Sequence, residues 1–275
     1  MPELPEVETT RRGIEPHISG QILADVILRK RQLRWPIPDD IAQLKGHRID
    51  QVKRRGKYLL LSCSKSSRHR GTIIVHLGMS GSLRVCTPDM PLRKHDHVEF
   101  SLTTGNALRF HDPRRFGCVL WSASDPHQHP LLAKLGPEPL SDDFNGEHLF
   151  CLSRKRKINV KTFIMDSHTV VGVGNIYASE SLFSSSLRPG RAASRISRKD
   201  YDVLANNIKD VLDKAIKMGG TTLRDFVNSD GEPGYFAQQL LVYGRSGEPC
   251  RSCKTPIKNK VIAQRSSFYC PSCQN

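Results

Sequence analysis

The sequence lacks a long hydrophobic run, and aromatic residues are scarce. Phe, Trp and Tyr make up 7% of its 275 residues, and no stretch approaches the roughly 18 consecutive apolar residues typical of a membrane-spanning helix. Residues 1–8 are acidic, whereas a secretory signal would be basic and then apolar. These absences argue against a membrane or exported protein, and we expect a cytoplasmic one.

Acidic residues are also in short supply relative to basic ones. The chain carries 42 Lys and Arg against 27 Asp and Glu, which gives a formal net charge of +15. Such a charge favours a polyanionic partner, either nucleic acid or an anionic membrane surface. No amphipathic basic helix with aromatic anchors is evident, so nucleic acid is favoured. Charge alone leaves open a basic protein that binds no polyanion.

The eight cysteines fall into two groups. Four are scattered singly and are expected to be ordinary thiols: Cys63, Cys86, Cys118 and Cys151. The others form two Cys-x-x-Cys pairs separated by sixteen residues: Cys250, Cys253, Cys270 and Cys273. In a chain without a secretory signal, this spacing favours metal binding over disulfides. Four thiolates close a tetrahedral site, so we expect one structural Zn²⁺, with iron or a redox thiol pair as the alternative.

The first half of the chain predicts a β domain behind a short helix. Residues 5–15 show helical apolar spacing, with Pro16 as the expected stop. Between residues 21 and 122, short β-rich runs alternate with turns, which predicts an antiparallel sandwich or barrel. The predicted strands are Ile22–Leu28, Tyr58–Leu61, Thr72–Leu77, Val98–Leu102, Ala107–Phe110 and Cys118–Trp121.

The second half predicts helices and then a small metal module, so the fold class is α+β with several domains. Helices are expected at Asn175–Phe183 and Tyr201–Met218, the second stopping at Gly219-Gly220, with Thr221-Thr222 as a cap for a further helix. The predicted domains are residues 1–125, a linker at 126–150 rich in Pro, Asp, His and Gly, a helical domain at 151–235, and a zinc finger at 241–275.

The segment between the cysteine pairs reads as strand, turn, strand, with Arg265 at the tip of the hairpin. The module is strongly basic, since residues 241–275 carry six Lys and Arg and only Glu248 as an acid. Arg265 fits either a solvated turn charge or a contact to a nucleic-acid phosphate.

The chain start is a candidate reaction centre. Removal of Met1 before a small residue would leave Pro2 with a secondary amine. An α-amine titrates near 7.7–8, so a usable fraction is uncharged near neutrality and can attack the anomeric carbon of a sugar. Glu3 lies beside it, and Glu6 follows one helical turn later, so both can move protons. The same residues also suit an acidic helix start, where carboxylates favour the helix dipole.

Several motifs, in order along essentially the whole chain, resemble those of the bacterial formamidopyrimidine-DNA glycosylases, which remove oxidised purines. The segments that carry the resemblance are residues 1–8 (MPELPEVE), 54–58 (RRGKY), 76–81 (HLGMSG), 94–97 (KHDH), 112–117 (DPRRFG), 172–178 (GVGNIYA) and 264–265 (QR). The resemblance implies an N-terminal antiparallel β-sandwich with a leading helix, a helix–two-turn–helix domain and a C-terminal β-hairpin zinc finger.

The resemblance also assigns catalytic roles. It implies that Pro2 is the nucleophile, that Glu3 is the general acid that helps to open the ribose ring, and that Glu6 is a further acid near the site. It assigns proton transfer in β-elimination to Lys57, which its basic turn alone would make a phosphate contact. Arg265 matches the finger-tip arginine linked to δ-elimination and phosphate binding; because arginine stays protonated, we expect electrostatic positioning there.

Three further matches concern the space left by an everted base. Met79, Arg114 and Phe116 match residues that fill this gap, although the pattern alone favours core packing for Met79 and Phe116. The chemistry suits the role, because base extrusion costs a few kcal/mol, an aromatic wedge can occupy a base step, and arginine can hydrogen-bond the orphaned base.

The resemblance implies additional DNA contacts at His95, Arg156, Lys161 and Asn175. Asn175 is expected at a helix N-cap, where backbone amides bind phosphate. Arg156 stands where relatives are expected to have lysine, and the basic run 154–157 also suits a solvated face.

The implied activity is removal of 8-oxoguanine and formamidopyrimidines through an iminium at Pro2, followed by β,δ-elimination. The expected partner is duplex DNA with oxidised purines or abasic sites, bound by a monomer of the bacterial nucleoid with no diffusible cofactor beyond zinc. One alternative is the related endonuclease VIII class, which prefers oxidised pyrimidines; Leu4 favours the purine class, because the other has Gly there. Another alternative is a non-catalytic zinc protein that clamps DNA. Residues 219–240 are the expected lesion-capping loop.

Overall fold

The computed structural model describes residues 2–66, 70–221 and 236–275. The chain divides into two compact units. Unit 1 comprises Met1–Ala133 and Gly219–Tyr235, and unit 2 comprises Lys134–Met218 and Phe236–Asn275. Most of the expected lesion-capping loop lies outside the described residues. Within the described ranges, no helix is both long and apolar enough to cross a bilayer.

Unit 1 is built on two four-stranded antiparallel sheets. One sheet has the order β1-β6-β7-β5 and the other the order β2-β3-β4-β8. The first comprises β1 (Leu23–Leu28), β5 (Ser82–Cys86), β6 (Asp96–Leu102) and β7 (Ala107–His111). The second comprises β2 (Arg48–Arg55), β3 (Tyr58–Ser64), β4 (Arg70–His76) and β8 (Cys118–Ser122). The helices are α1 (Leu4–Ile18) and α2 (Asp39–Ala42), with a 3₁₀ turn at Pro126–Gln128.

One apolar core joins both sheets to helix α1. Its buried members include Val7, Ile14, Ile18, Leu59, Leu61, Ile73, Val75, Phe100 and Leu108. The predicted sandwich is therefore confirmed, and α1 covers part of its core. Because burial of each such side chain contributes about 1.5–3 kcal/mol, the core fixes α1, and with it the chain start, against the sheets.

The expected helix stop at Pro16 is wrong, because α1 continues through it to Ile18. A proline deep in a helix removes one amide donor and clashes with the preceding turn, but here it lies in the last turn, where few bonds remain to be lost. Ile18 is fully buried in the core, and the amide of Ser19 still donates to the carbonyl of Glu15 at 3.1 Å. Core packing thus outweighs the proline penalty.

Two strands were not predicted, and both are edge strands. In β2 only Ile49 and Val52 are buried, and their neighbours are charged or polar. The segment therefore has little of the apolar pattern that predicts a strand. In β5, Arg84 interrupts the run and is nevertheless 5% exposed. Edge strands commonly carry charged residues that discourage edge-to-edge association, which hides them from an apolar pattern search.

Unit 2 contains four helices in the described part of the chain: α3 (Gly146–Ser153), α4 (Val160–Met165), α5 (Asn175–Ser184) and α6 (Arg198–Lys217). Helices α5 and α6 were predicted, whereas α3 begins inside the predicted linker and α4 was missed. The side chain of Asn145 caps α3 by accepting from the amide of His148 at 2.9 Å. Short 3₁₀ turns lie at Ala193–Arg195 and Phe236–Gln239.

The cysteine-rich end of unit 2 carries the predicted hairpin. Strands β9 (Lys258–Ile262) and β10 (Arg265–Tyr269) pair antiparallel through a two-residue turn. Both turn residues, Ala263 and Gln264, have positive φ, which is the geometry of the tight hairpin turn that matches strand twist. Arg265 is therefore the first residue of β10, beside the tip rather than on it.

Candidate active site and nucleic-acid interface

The start of α1 brings Pro2, Glu3 and Glu6 together, as the sequence predicted. Pro2 is buried, Glu3 is the N-cap residue, and Glu6 is the third residue of the helix. Glu3 and Glu6 form a reciprocal capping box, in which the Glu6 carboxylate accepts from the Glu3 amide at 2.8 Å. Both carboxylates are almost fully buried, at 2% and 1% exposure. They are thus held beside Pro2 by local hydrogen bonds.

The other oxygen of Glu6 binds a distant segment of unit 1. Its Oε1 accepts from the amide of Thr221 at 2.8 Å and from the Thr221 hydroxyl at 2.9 Å. Gly220 has φ +81, and a Cβ there would lie 3.0 Å from the same oxygen. The segment therefore needs glycine for its backbone conformation and for its close approach to Glu6. Sequence reasoning predicted a helix cap at Thr221 and missed this contact.

A second link ties α1 to the hairpin that carries Lys57. Glu8, two residues after Glu6, accepts from Arg54 Nε at 3.1 Å. Arg54 Nη1 in turn donates to the carbonyl of Gly56 at 3.0 Å, at the turn between β2 and β3. This chain of contacts fixes the turn that presents Lys57 relative to the helix that presents Pro2 and Glu3. It was not predicted, because the two partners are far apart in sequence.

Glu8 is ionised under ordinary conditions. Burial by itself raises the pKa of its carboxyl, but hydrogen bonds and charge interactions with Arg11, Arg12 and Arg54 outweigh burial and hold the pKa below the ordinary value of 4.5. A carboxylate with a lowered folded-state pKa stabilises the fold above the unfolded-state value and loses that contribution as pH falls through the folded value.

We therefore expect Glu8→Gln to destabilise the protein by about 1.5–3 kcal/mol at pH 7, the range for hydrogen bonds to charged groups. The penalty should shrink as pH is lowered below 4.5, the ordinary value for this carboxyl. Urea unfolding of the variant and the parent across pH 7 to about 2.5 measures the difference. Glu15→Gln, at the more exposed partner of Arg11, is the control and should cost less. An equal Glu8→Gln penalty at every pH would contradict the ionic interpretation.

Met79, Arg114 and Phe116 are exposed residues on two adjoining loops of unit 1. Met79 is 38% exposed and Phe116 is 43% exposed, which is unusual for large apolar side chains. The guanidinium carbon of Arg114 stands 4.9 Å from the centre of the Phe116 ring, within cation–π range. The core-packing alternative for Met79 and Phe116 is therefore wrong, since both side chains project into solvent.

His76 helps to fix the Met79 loop, a role that was not predicted. Its Nδ1 accepts from the amide of Gly78 at 2.9 Å, which requires a ring without a proton on that nitrogen. Burial, together with the charges of Lys57 and Arg34, lowers the pKa of His76 to about 4. The ring is therefore neutral near pH 7, as the hydrogen bond requires.

His95 lines a basic groove of unit 1. The groove's basic side chains are Arg29, Lys30, Arg93, Lys94, His95, His97 and Arg115, with Asp96 as the one acid among its lining residues in the described chain. Lys94 and Arg115 are exposed, so the groove presents positive charge to solvent. Such a surface suits a phosphate backbone, in keeping with the contact predicted for His95.

In unit 2, α4 and α5 are joined by residues 166–174, with a turn at 167–169 followed by a bend at 170–172. Asn175 is the first residue of α5, and Gly174 is the N-cap, so the predicted N-cap position of Asn175 is wrong by one residue. The backbone of Gly174 is extended, and glycine is among the residues favoured at an N-cap. The Asn175 side chain instead donates from Nδ2 to the carbonyl of Ser266 at 3.1 Å.

Lys161 is 1% exposed, which does not match a simple surface contact to phosphate. Its Nζ donates to the carbonyl of Ser266 at 3.0 Å and to the hydroxyl of Ser267 at 2.7 Å. Lys161 and Asn175 therefore both hold β10 immediately after Arg265. Arg156 and Arg265 are exposed, as expected of phosphate contacts.

The four predicted metal ligands come together in the zinc module. The Sγ atoms of Cys250, Cys253, Cys270 and Cys273 all lie within 4.8 Å of one another. The Cys250–Cys273 and Cys253–Cys270 pairs are 4.0 and 3.4 Å apart. Tetrahedral zinc with Zn–S bonds of about 2.3 Å needs sulfur separations of about 3.8 Å, so the residues fit the ion. Four protein ligands leave no open position, so a zinc ion here is structural.

The scattered cysteines behave as ordinary thiols, as predicted. Cys63, Cys86 and Cys118 are buried, and Cys151 is exposed. Burial raises the pKa of Cys63 and Cys118 to about 12, so neither is a nucleophile near neutrality.

Three family models match successive parts of the chain. The formamidopyrimidine-DNA glycosylase N-terminal domain matches residues 1–119. The H2TH domain of the same enzymes matches residues 135–227, and the zinc finger found in FPG and IleRS matches residues 247–275. Together they follow the order in which the sandwich, the helical region and the cysteine module occur.

Relatives match the chain from end to end. The formamidopyrimidine-DNA glycosylases of Marinobacter nauticus and Thioalkalivibrio sulfidiphilus are 59% and 57% identical to it over 275 residues, with 100% of each chain covered. The crystal structure of the Thermus thermophilus protein matches with a TM-score of 0.89 at 37% identity, covering 99% of this chain and 98% of that one. The Lactococcus lactis protein in complex with abasic-site DNA matches with a TM-score of 0.90 at 32% identity, covering 99% of each chain.

Proposed function

The chain belongs to the formamidopyrimidine-DNA glycosylase family, and on that premise we propose that it excises 8-oxoguanine and formamidopyrimidines from duplex DNA and then cleaves the strand. The main structural support for this proposal is the buried start of α1, where Pro2 precedes two carboxylates that the capping box holds in place. The zinc finger of unit 2 and the basic groove of unit 1 are each proposed to contact DNA.

The proposed reaction begins with Met1 removed and the Pro2 amine uncharged. The nitrogen attacks C1′ of the damaged nucleotide, the C1′–N bond to the base breaks, and the base leaves with a proton. Glu3 protonates O4′ as the sugar ring opens, which gives an iminium between Pro2 and C1′. Loss of a C2′ proton expels the 3′-phosphate, a second elimination expels the 5′-phosphate, and water releases the sugar remnant.

The hydrogen bonds of Glu3 and Glu6 support different roles for the two carboxylates. Glu6 accepts three hydrogen bonds, from the Glu3 amide and from the amide and hydroxyl of Thr221, so it serves as a fixed acceptor. These bonds hold the Glu6 carboxylate in one orientation, which suits a positioning group. Glu3, whose backbone is held by Glu6, is the better proton donor to O4′. Glu6 then acts by positioning Glu3 and the segment at Thr221.

Lys57 is proposed as the group that moves the proton in β-elimination. The Glu8–Arg54–Gly56 contacts support this role, because they fix the turn on which Lys57 lies. Arg265 is proposed to position the phosphate that leaves in δ-elimination, as an exposed, permanently charged residue. Hydrogen bonds from Lys161 and Asn175 hold its strand, β10, in place.

DNA is proposed to be bound through its phosphates and opened at the lesion. His95, Arg156 and the start of α5 at Asn175 supply phosphate contacts, and Lys161 acts indirectly through β10. The exposed Met79, Arg114 and Phe116 enter the duplex and occupy the space of the everted base. Unstacking costs a few kcal/mol, which contacts of these side chains with the flanking and orphaned bases offset.

Preference for purine lesions separates this proposal from the endonuclease VIII class. Leu4 supports the purine class, although a complex of the Lactococcus lactis protein contains oxidised-pyrimidine DNA, so activity toward both lesions must be compared. We expect kcat/KM for 8-oxoguanine and formamidopyrimidine duplexes to exceed that for an otherwise identical thymine glycol duplex by tenfold or more, a transition-state difference of about 1.4 kcal/mol.

The comparison uses one flanking sequence, cytosine opposite the purine lesions, and an undamaged duplex as the blank. Glycosylase release of the base and strand cleavage are followed separately. A higher kcat/KM on the pyrimidine duplex would move the chain to the other class, and equal values would remove the specificity claim while leaving the covalent chemistry intact.

A further inference from the structure

Asp112 is a fully buried carboxylate that no step of the proposed reaction uses. It is 0% exposed and follows the end of β7, at the start of the loop that carries Arg114 and Phe116. Its Oδ2 accepts from the amide of Gly117 at 2.8 Å, which closes this loop on itself. A carboxylate buried this completely is costly unless its oxygens are hydrogen-bonded.

The same carboxylate reaches the loop that carries Met79. Its Oδ1 lies 3.4 Å from the hydroxyl of Ser80, the next residue after Met79, in a long hydrogen bond. The two oxygens of one side chain therefore contact both loops that present the exposed apolar residues. Asp112 lies 32 residues from Ser80 in sequence, so no local pattern signals the contact.

The two loops also meet through their backbones. Gly78 has φ +67, and a Cβ there would lie 2.4 Å from the Gly117 nitrogen and 2.5 Å from the Phe116 carbonyl carbon. No side chain fits this gap, so glycine is required at position 78. The residue between the wedge side chains, Arg115, has φ +56, a costly conformation for a residue with a Cβ. The hydrogen bonds around Asp112 hold the loop in that conformation.

We propose that Asp112 is a positioning residue for base eversion, which locks the loops of Met79 and Phe116 into one rigid wedge before DNA binds. The inference rests on the proposed function of these side chains in filling the space of the everted base. When the two loops are ordered before DNA binds, no binding free energy is needed to order them. The side chains of Met79 and Phe116 then enter the base stack faster. Backbone contacts also hold Asp112 in place. Its amide donates to the His95 carbonyl at 3.0 Å, and its carbonyl accepts from His97 Nε2 at 2.9 Å.

The test measures eversion apart from chemistry. 2-Aminopurine is placed beside a tetrahydrofuran abasic analogue in duplex DNA, and its fluorescence is followed by stopped flow as the stack is opened. We expect Asp112→Asn to slow the eversion phase by about fivefold or more and Asp112→Ala to slow it further, since asparagine keeps an acceptor for Gly117 and alanine keeps none. Cleavage of an abasic site in a single strand, which needs no wedge, should stay within about twofold of the parent.

Two variants make the outcome decisive. Glu180→Gln changes another buried carboxylate, in α5 of unit 2, which is 2% exposed and accepts from the amides of Leu241, Val242 and Tyr243 rather than from either wedge loop; it should evert DNA at the parent rate. Phe116→Ala tests the wedge itself. Slow eversion in Phe116→Ala with parental rates in both Asp112 variants overturns the inference alone, whereas a parental rate in Phe116→Ala overturns the proposed wedge. Should the alanine variant not fold, Asp112→Asn decides the result.

Discussion

Borohydride added while the protein acts on an 8-oxoguanine duplex is expected to trap a covalent protein–DNA complex only when Met1 has been removed. The same chain is purified with Met1 retained, by blocking methionine aminopeptidase during expression, and half of it is then treated with the purified aminopeptidase. The two samples differ at one peptide bond. We expect trapped product to fall at least about 10³-fold when Met1 is present, as is typical when a catalytic nucleophile is removed.

The physical reason is the basicity and position of one nitrogen. At pH 7 roughly one α-amine in ten is uncharged, against fewer than about one lysine amine in a thousand. With Met1 attached, the Pro2 nitrogen is an amide and has no lone pair to donate. The free amine of Met1 then lies a residue away, about 3.8 Å along the chain, which is enough to lose the near-attack geometry.

Three readouts separate the rival explanations. Mass spectrometry of the reduced complex should place the sugar remnant on Pro2, and an adduct on Lys57 instead would reassign the nucleophile. Salt-dependent affinity for duplex DNA should be similar in both samples, since the DNA-binding side chains are unchanged. If the processed, zinc-loaded sample binds DNA with undiminished affinity but yields no adduct on any lesion strand, the protein is a non-catalytic DNA clamp.

The parts of the site that the sequence predicted are those held by short-range contacts. Glu3 and Glu6 are neighbours on one helical turn, and the two Cys-x-x-Cys pairs lie on tight turns, so spacing alone places their side chains. Resemblance was needed for Met79 and Phe116, because an apolar residue in an exposed loop has no pattern that distinguishes it from a core residue. The structure shows their exposure directly.

The missed contacts link residues far apart in the chain. Glu6 and Thr221 are 215 residues apart, and Glu8 and Arg54 are 46 apart. Each pair is brought together only by the tertiary folding of unit 1, so local propensity carries no information about it. The burial of Lys161 was missed for a related reason: the resemblance implied a DNA contact there, while tertiary packing turns its side chain inward.

Loss of zinc is expected to unfold the cysteine module and to destabilise unit 2 beyond the module itself. Zinc binding in finger modules is worth on the order of 10 kcal/mol, and most of it is folding free energy. Cys270→Ser should therefore lower bound zinc to background and weaken duplex binding by about 100-fold or more, since β10 and Arg265 lose their support. Cys151→Ser, at an exposed thiol outside the cluster, should change neither.

The larger consequence follows from Lys161, whose ammonium group is buried against Ser266 and Ser267 of β10. When the module unfolds, the ammonium loses those two acceptors, and the helical part loses the stability that these hydrogen bonds give it. Unfolding of the helical part should then be shifted as well, which urea titration of Cys270→Ser at the helical circular dichroism signal measures. Lys161→Met removes the charge but keeps an apolar stem of similar length. In a Cys270→Ser background it should therefore cost little, because these bonds are already lost, whereas in the zinc-loaded parent it should cost about 1–3 kcal/mol. Strictly additive effects of the two changes would show that the metal module and the α4 lysine are energetically independent.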